Sequence, residues 1–462
     1  MWRYLLSFLL GLPAILPAQL HYVVVDDIQC EGNRRTKSAT ILREMDLAPG
    51  DTIGLLELAP RLEKNRTLVL NMTLFTVVVV NIGEWRGYNH IVVTFTVKEQ
   101  WYLFPFPIFE LADRNFNVWW SEQGRSLQRV NLGLRLTHYN VTGRRDKLKA
   151  TVQFGYTQKY ELDYRLPGFN RQQPLGFKTN LFYATNKETN YQTAGNKFLF
   201  FGNDQVQLSN VRLNFGLIYR PKLYVSHELD LEFHNNRSTD SIHLLNPDFF
   251  LNGADQQRFA AISYSLIVDR RDLRDYPRQG CYLKSIIRKD GLGFFTDRDA
   301  LTFNTTFAQY FSFGRKWSTE LILKGLFYLY RNQQPYFNSR SLGFRPDYLR
   351  GYELYVVDGM NFSYVKGSLR WQFFDRVLGL GKMVPISQLR TFPLQLYLTL
   401  NSDVGYVDDP FYQEGNPLSN TWLWGGGVGL DIVAYVDKVL QIEYSFSHLL
   451  ENGVFLHYKF TF

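Results

Sequence analysis

Apolar and polar residues alternate in repeated segments from Trp101 to the end of the chain. Successive side chains of a β-strand point to opposite faces of a sheet, so this pattern predicts many strands with one apolar and one polar face. The segments are about nine to twelve residues long, which is the length that a tilted strand needs to cross a bilayer. The clearest of them span residues 130–137, 148–157, 223–233, 394–401 and 454–462.

The polar faces of these segments distinguish a membrane barrel from a soluble sandwich. They carry charged residues such as Lys149, Glu228 and Lys459, which suit a wet lumen better than the apolar core that the two sheets of a sandwich share. The sequence therefore predicts a mainly β protein with an antiparallel transmembrane β-barrel over residues 101–462. About 16 segments fit this region, and an even number is usual for bacterial barrels.

Composition and the N-terminus agree with an exported barrel. Aromatic residues make up 16% of the chain, as expected if girdles of Tyr, Phe and Trp line a membrane interface. Residues 1–18 contain Arg3, a following apolar run and Ala18 at a possible cleavage point, so they are predicted to be a signal peptide, although Leu16 is large for its position. No later stretch is apolar for the roughly 18 residues that a membrane-spanning helix needs.

Residues 20–100 follow another pattern, which predicts a small α+β domain in the order β-α-α-β-β. Ser38 is placed to cap a helix that extends to Met45, and two strands rich in Val and Thr close the region. The region contains a Gly-Asn-x-x-Thr turn at 32–36, a Gly-Asp turn at 50–51 and a Leu-Phe pair at 74–75 before a strand. With these motifs it resembles a polypeptide-transport-associated (POTRA) domain, and the resemblance implies binding of extended chains by strand addition to a sheet edge.

A long segment, residues 331–360, separates the eleventh and twelfth predicted strands. A structureless loop of this length is usually functional or disordered. This one carries aromatic side chains such as Tyr352, and it is predicted to fold into the lumen, where Arg350 would need an acidic partner. Alternation places three candidate partners on the lumen face of their strands: Asp403, Asp431 and Glu443.

The centre of the loop, Leu349-Arg350-Gly351-Tyr352, resembles the (V/L)-R-G-(F/Y) motif of the sixth loop in the BamA-type superfamily of POTRA-plus-barrel proteins. The resemblance implies that Arg350 pairs with acidic residues of the inner wall. Residues 401–407 resemble the D-x-G-x-V strand of the superfamily, which supplies such a residue at Asp403. The chain departs from the family at Arg370, where a second acidic residue is often found.

Two further stretches carry the resemblance. Asp269, Asp272, Pro277 and Gly280 resemble the D-x-R-D...P-x-x-G signature of the superfamily, with its arginine shifted by one place. Phe460 and Phe462 resemble the C-terminal signal in the last strand of bacterial outer-membrane proteins, which their assembly machinery recognises.

The superfamily includes barrel-assembly insertases and the transporters of two-partner secretion. The resemblance to the insertases implies a factor of the bacterial outer membrane. Such a factor receives unfolded outer-membrane proteins at a periplasmic POTRA domain and inserts them at the barrel seam, the boundary between its first and last strands. Its implied partners are these clients, outer-membrane lipid and accessory periplasmic or lipoprotein subunits. The alternative is a polypeptide translocation pore, although the second POTRA domain and plug helix of such transporters are not visible in the sequence. A passive porin, the third hypothesis, would need neither the POTRA-like region nor the loop.

Other classes of function find no support in the sequence. The net charge of +8 is spread along the chain without a basic stripe, so no nucleic-acid partner is predicted. Cys30 and Cys281 are two isolated cysteines, which predicts neither a disulfide framework nor a structural zinc site. The sequence contains no GxSxG, P-loop or HExxH motif, so no enzyme activity and no cofactor or metal is predicted.

Overall fold

The computed structural model describes residues 21–169, 174–295, 297–344, 346–379, 391–434 and 438–460. The predicted signal peptide, residues 1–18, and the terminal Phe462 lie outside the described residues. No helix in the described ranges is long and apolar enough to cross a membrane.

A small α+β domain comes first in the chain. Its elements are β1 (Tyr22–Glu31), α1 (Ser38–Leu42), β2 (Thr52–Gly54), α2 (Leu55–Leu70), β3 (Phe75–Arg86) and β4 (His90–Glu99). They form a four-stranded sheet in the order β2-β1-β4-β3, and sheet and helices share a core that includes Ile41, Leu62 and Phe95. The strand β3 therefore lies at an open edge of the sheet. We call this unit the N-terminal domain.

Two local expectations for this domain differ from the structure. The N-cap of α1 is Lys37 rather than Ser38, no side chain caps the helix, and it ends at Leu42 instead of Met45. The strand β2 was not predicted, because three residues are too few to reveal an alternation. It forms because it pairs with β1, which is a tertiary contact.

The rest of the chain consists mostly of strands. In chain order the elements are β5 (Leu103–Leu111), α3 (Phe116–Ser121), β6 (Val130–Tyr139), β7 (Lys147–Gly155), β8 (Thr157–Leu166), β9 (Leu175–Asn186), β10 (Glu188–Ala194), β11 (Lys197–Gly202), β12 (Leu208–Lys222), β13 (Val225–Ser238), α4 (Asp240–Leu245), β14 (Gln256–Asp269), β15 (Gly280–Asp290), β16 (Ala300–Phe313), β17 (Trp317–Tyr328), β18 (Arg340–Leu342), β19 (Val357–Asp358), β20 (Asn361–Gly379), β21 (Thr391–Asp408), β22 (Trp422–Ala434), β23 (Lys438–Ser447) and β24 (Asn452–Phe460).

Sixteen of these strands form a single antiparallel sheet, as the sequence predicts. Its order follows the chain from β5 to β24, while β10 with β11 and β18 with β19 form separate two-stranded sheets. The alternation of side chains sorts the two faces: Leu213, Phe215 and Leu217 of β12 are exposed on the outside, and Glu228 and Asp230 of β13 are buried inside. The outer face of the sheet is therefore apolar and the inner face polar.

The two ends of the sheet lie side by side. Asn117 of α3 donates from Nδ2 to the carbonyl oxygen of Val454 in β24 at 2.9 Å, which links the segment after β5 to the last strand. The sheet thus curves into a barrel. Within the described residues no backbone ladder joins β5 to β24. We call this boundary the seam.

The N-terminal domain docks on the short connections at one end of the barrel. The Glu44 carboxylate, which is buried, pairs with Arg220 of β12 at 2.6 Å and with Arg145 of the β6–β7 connection at 3.1 Å. Burial raises the pKa of the Glu44 carboxyl, but the neighbouring charges of Arg145 and Arg220 outweigh burial and hold this pKa well below its usual range. The carboxylate therefore stays ionised and joins the domain to the barrel.

We expect Glu44→Gln to undock the N-terminal domain, because Arg145 and Arg220 would lose their buried counter-charge at a cost of about 3–5 kcal/mol. Chymotrypsin cleavage after Tyr102, which lies between β4 of the domain and β5 of the barrel, should become faster. Since the pKa of Glu44 lies below its unfolded value of about 4.3, the wild type should stay docked at neutral pH and loosen only in acid. Glu63→Gln is the matched control, since the exposed Glu63 side chain pairs with the partly exposed Arg66 of the same helix; equal cleavage of both variants would contradict the role of Glu44.

Candidate functional site

The long loop between β17 and β20, residues 331–360, lies inside the barrel. These two strands are neighbours in the sheet, and the loop connects the eleventh strand to the twelfth. Leu349 and Tyr352 are almost completely buried, although they belong to no regular element. Near its start the ring of Phe337 packs against Phe249 and Phe250 of the β13–β14 connection. The loop is thus enclosed by the barrel wall and by a neighbouring connection.

Arg350 holds the centre of the loop to the wall. Its Nη1 donates to Asp403 Oδ1 at 2.7 Å, its Nε donates to Glu443 Oε1 at 3.0 Å, and its backbone N–H donates to Asp403 Oδ2 at 3.1 Å. The side chains of Asp403 and Glu443 are 0% and 2% exposed, and Arg350 is the cation that donates hydrogen bonds to both buried carboxylates. We call Arg350, Asp403 and Glu443 the clasp.

A column of glycines on β22 makes room for the clasp. Asp403 in β21 lies opposite Gly425, and Glu443 in β23 lies opposite Gly429, so glycines of β22 separate the two acids. A Cβ atom at Gly425 would lie 1.9 Å from the carbonyl oxygen of Arg350. Gly351 has φ +81° and its own Cβ would meet the Phe446 carbonyl carbon at 2.4 Å. Only glycine lets the loop backbone approach the wall this closely.

Two further contacts fix the loop on either side of the clasp. Asp347 accepts a hydrogen bond from Lys324 Nζ of β17 at 2.7 Å and another from the Tyr364 hydroxyl of β20 at 2.9 Å. On the seam side, Arg114 donates to the carbonyl oxygens of Tyr355 at 2.7 Å and Leu354 at 3.0 Å. The loop is therefore tied to the wall of the twelfth strand and to the segment that follows the first.

Asp431, the third predicted partner of Arg350, belongs to a different cluster. It is buried and accepts hydrogen bonds from the Tyr276 hydroxyl at 2.8 Å and from Gln441 at 3.1 Å. Arg370, the residue that departs from the family, points inward as predicted, pairs with Glu320 and lies over the Tyr276 ring at 4.4 Å. Glu320 and Tyr276 were not among the residues predicted from the sequence.

The four residues of the predicted signature build the β14–β15 connection, which faces the N-terminal domain. Asp269 pairs with Arg271 at 2.8 Å, the side chain of Asp272 accepts two backbone N–H groups of its own turn, and its carbonyl oxygen accepts a hydrogen bond from Asn71 of the N-terminal domain at 2.7 Å. The Pro277 carbonyl accepts from Arg370 at 3.0 Å. Gly280 has φ +100°, and a Cβ there would meet the Arg270 carbonyl oxygen at 2.1 Å. Phe460 ends β24, and its side chain lies outside the described residues.

The site residues that were not predicted differ in how visible they are in the sequence. The alternating glycines of β22, in the run Gly425-Gly426-Gly427-Val428-Gly429, could have been noticed, since glycine inside a strand often marks a close backbone approach. Arg114, Glu320 and Tyr276 carry no such signal, because their partners come from distant parts of the chain.

No protein-family model and no curated protein matches the chain. A structure of BamA from Haemophilus ducreyi lacking POTRA domains 1–3 is 13% identical, with 95% of this chain and 84% of that chain covered and a TM-score of 0.53. CdiB from Escherichia coli is 12% identical, with 94% and 75% covered and a TM-score of 0.57. CdiB from Acinetobacter baumannii is 14% identical, with 94% and 73% covered and a TM-score of 0.50.

The similarity confirms the predicted fold. The chain shares the 16-stranded barrel architecture of these BamA and CdiB structures. Because BamA and CdiB align about equally well, the fold does not choose between their activities.

We expect Arg350→Ala to release the loop from the wall, because Asp403 and Glu443 would remain buried without their cation, at a cost of about 3–5 kcal/mol. The loop should become sensitive to protease while the barrel keeps its heat-modifiable gel mobility. The charge swap of Arg350→Asp with Asp403→Arg should recover part of what each single reversal loses. Arg331→Ala is the control in the same loop, since its side chain is 64% exposed. Absence of any recovery in the swap would contradict the pairing.

Gly425→Ala should displace the loop without removing any charge, because the new Cβ would collide with the Arg350 carbonyl oxygen. The expected result is the same protease sensitivity as in Arg350→Ala. Gly379→Ala is the matched control, since a Cβ at that strand glycine would meet nothing within 4 Å. A loop that stays protected in Gly425→Ala would mean that its backbone does not lie against β22.

Proposed function

We propose that this chain is an assembly factor of the bacterial outer membrane, which receives unfolded β-barrel proteins at a periplasmic N-terminal domain and inserts them into the membrane at the seam. The N-terminal domain then acts as the POTRA domain that its turns resemble. The activity requires no catalytic residue and no cofactor, because folding into the membrane supplies the driving force.

The seam is the observation that carries this proposal. A passive membrane barrel satisfies its backbone groups by a closed ladder. Here no ladder joins β5 to β24 in the described part of the chain, and the Asn117 side chain bonds one carbonyl of β24 instead. A boundary held by few bonds can separate at low cost and present strand edges to a client inside the membrane.

The N-terminal domain supports the proposal through its edge strand. β3 pairs on one side only, and its Val77 and Val79 side chains are exposed. Pairing to such an edge uses backbone hydrogen bonds, so it accepts extended chains of varied sequence. The domain docks beside the short connections of the barrel, which brings a bound client to the same end of the barrel as the first residue of β5.

The outer face supports placement in a membrane. Leucine, phenylalanine and tryptophan side chains such as Leu134, Phe215, Leu400 and Trp424 are exposed on the outer face of the barrel. Apolar exposure repeated on strand after strand around a barrel far exceeds the patches usual for soluble monomers. Lipid, unfolded outer-membrane proteins and accessory periplasmic or lipoprotein subunits are the proposed partners.

A polypeptide translocation pore is the second candidate, since CdiB has the same fold. A pore of this kind must clear its lumen before a chain can pass. The loop that fills the lumen is held by three hydrogen bonds from Arg350 to buried carboxylates, which favours use of the seam over use of the lumen.

We expect the purified protein in liposomes to accelerate the folding of an added unfolded outer-membrane protein, measured by protease protection and heat-modifiable gel mobility. Empty liposomes and liposomes that contain a porin are the controls. Arg350→Ala should fold but handle the client more slowly, and Arg331→Ala should match the wild type. No acceleration, together with a large conductance or passage of an extended polypeptide, would favour the translocation pore.

A further inference from the structure

The first strand of the barrel carries two prolines in its middle. Pro105 and Pro107 lie within β5, whereas the other prolines of the described barrel strands, Pro221 and Pro393, lie at strand ends. Proline has no backbone N–H, so its position relative to the ladder decides which neighbour loses a hydrogen bond.

The pairing with β6 shows that this neighbour is not β6. The Tyr139 N–H donates to the Tyr102 carbonyl at 2.8 Å, and the Ala112 N–H donates to the Arg129 carbonyl at 2.8 Å. These bonds bracket β5 and fix its even-numbered residues as the ones whose backbone groups face β6. The odd-numbered residues, including both prolines, face the seam. Two successive donors are therefore missing from the seam edge of β5.

The opposite edge has no such gap. The Ser447 N–H donates to the Glu451 carbonyl at 3.0 Å, which fixes the odd-numbered residues of β24 as those that face β23. The even-numbered residues face the seam, in agreement with the bond from Asn117 to the Val454 carbonyl. β24 contains no proline, so every second residue of its seam edge carries both an N–H and a C=O, of which the Val454 carbonyl is held by Asn117. The two edges of the seam therefore differ in their capacity to pair.

We propose that an incoming client strand pairs with β24 and not with β5, an inference that rests on the function proposed above. A strand added to β5 would leave two of its carbonyls without donors opposite Pro105 and Pro107, which is costly where no water can replace them. The same prolines weaken the contact between β5 and β24, and the seam therefore opens there. β5 is the passive side of the seam and β24 the receiving side.

The choice of edge sets the direction of the client strand. β5 begins beside the N-terminal domain and runs away from it, and β24 runs towards it, because the sheet is antiparallel with an even number of strands. A strand that adds antiparallel to β24 must run in the direction of β5. In an even-stranded client with periplasmic termini this is the direction of the first strand, while the last strand matches β5. The partner of β24 is thus the first strand of the client barrel.

Cysteine crosslinking distinguishes the two edges. In a background of Cys30→Ser and Cys281→Ser, Val454→Cys reports on β24 and Phe109→Cys on β5; both side chains point outward near the same end of the seam. The probe is an unfolded eight-stranded outer-membrane protein with one cysteine in its first or last strand, added to proteoliposomes. We expect crosslinks between Val454→Cys and the first strand to exceed those between Phe109→Cys and the last by at least about tenfold, since unsatisfied carbonyls in a membrane are expensive.

Predominant crosslinks from Phe109→Cys to the last strand would overturn the inference, and so would accelerated folding without crosslinks at either edge. The folding rate of the client is measured in the same samples. A client that is not accelerated at all refutes the proposed function, and this inference with it, so the two failures are distinguishable.

A double variant tests the cause. Pro105→Val with Pro107→Val restores both missing donors on β5, so the crosslink ratio between the two edges should fall towards one. Pro393→Val is the matched control, since it replaces a strand proline away from the seam. Heat-modifiable mobility confirms that each variant folds. A ratio unchanged in the double variant would show that the prolines do not set the choice of edge.

Discussion

The contact of Arg350 with Asp403 and Glu443 is the interaction on which the interior of this barrel depends. Two carboxylates on the inner wall are buried almost completely, and a guanidinium from the loop hydrogen-bonds both and offsets the cost of their burial. The cation in turn reaches them only because β22 presents glycines where other strands present side chains. Charge, loop and glycine column therefore form a single unit, in which each part requires the other two.

The loop that carries the clasp also connects it to the region of the seam. Loop 331–360 is tied on one side to the clasp and on the other to Arg114, which follows β5 and lies near the seam. At the opposite end of the barrel, Glu44 fixes the N-terminal domain to the connections after β6 and β12. In the described residues neither a backbone ladder nor a buried ion pair joins β5 to β24, whereas every other pair of neighbouring strands in the sheet is hydrogen-bonded. The seam is therefore the boundary of the barrel that is held by the fewest bonds.

Much of this architecture follows from local patterns in the sequence. Alternation predicted a 16-stranded sheet and the face on which Asp403 and Glu443 lie, because the period of a strand is fixed by its covalent geometry. It failed where an element is short or owes its form to a partner. The strand β10 is mostly polar and shows no clear alternation in the sequence, and it forms because it pairs with β11 rather than with the main sheet.

The sequence by itself determined the strands of the 16-stranded sheet, their inner and outer faces, their order and the identity of the loop arginine. Only the tertiary structure decided which acids meet Arg350. Asp431 lies on the inner face as predicted but pairs with Tyr276, and alternation gives the face of a residue without its height or its position around the barrel. The two prolines of β5 were visible in the sequence as well. Their consequence depends on which of its backbone groups face β6, and that is a property of the assembled sheet.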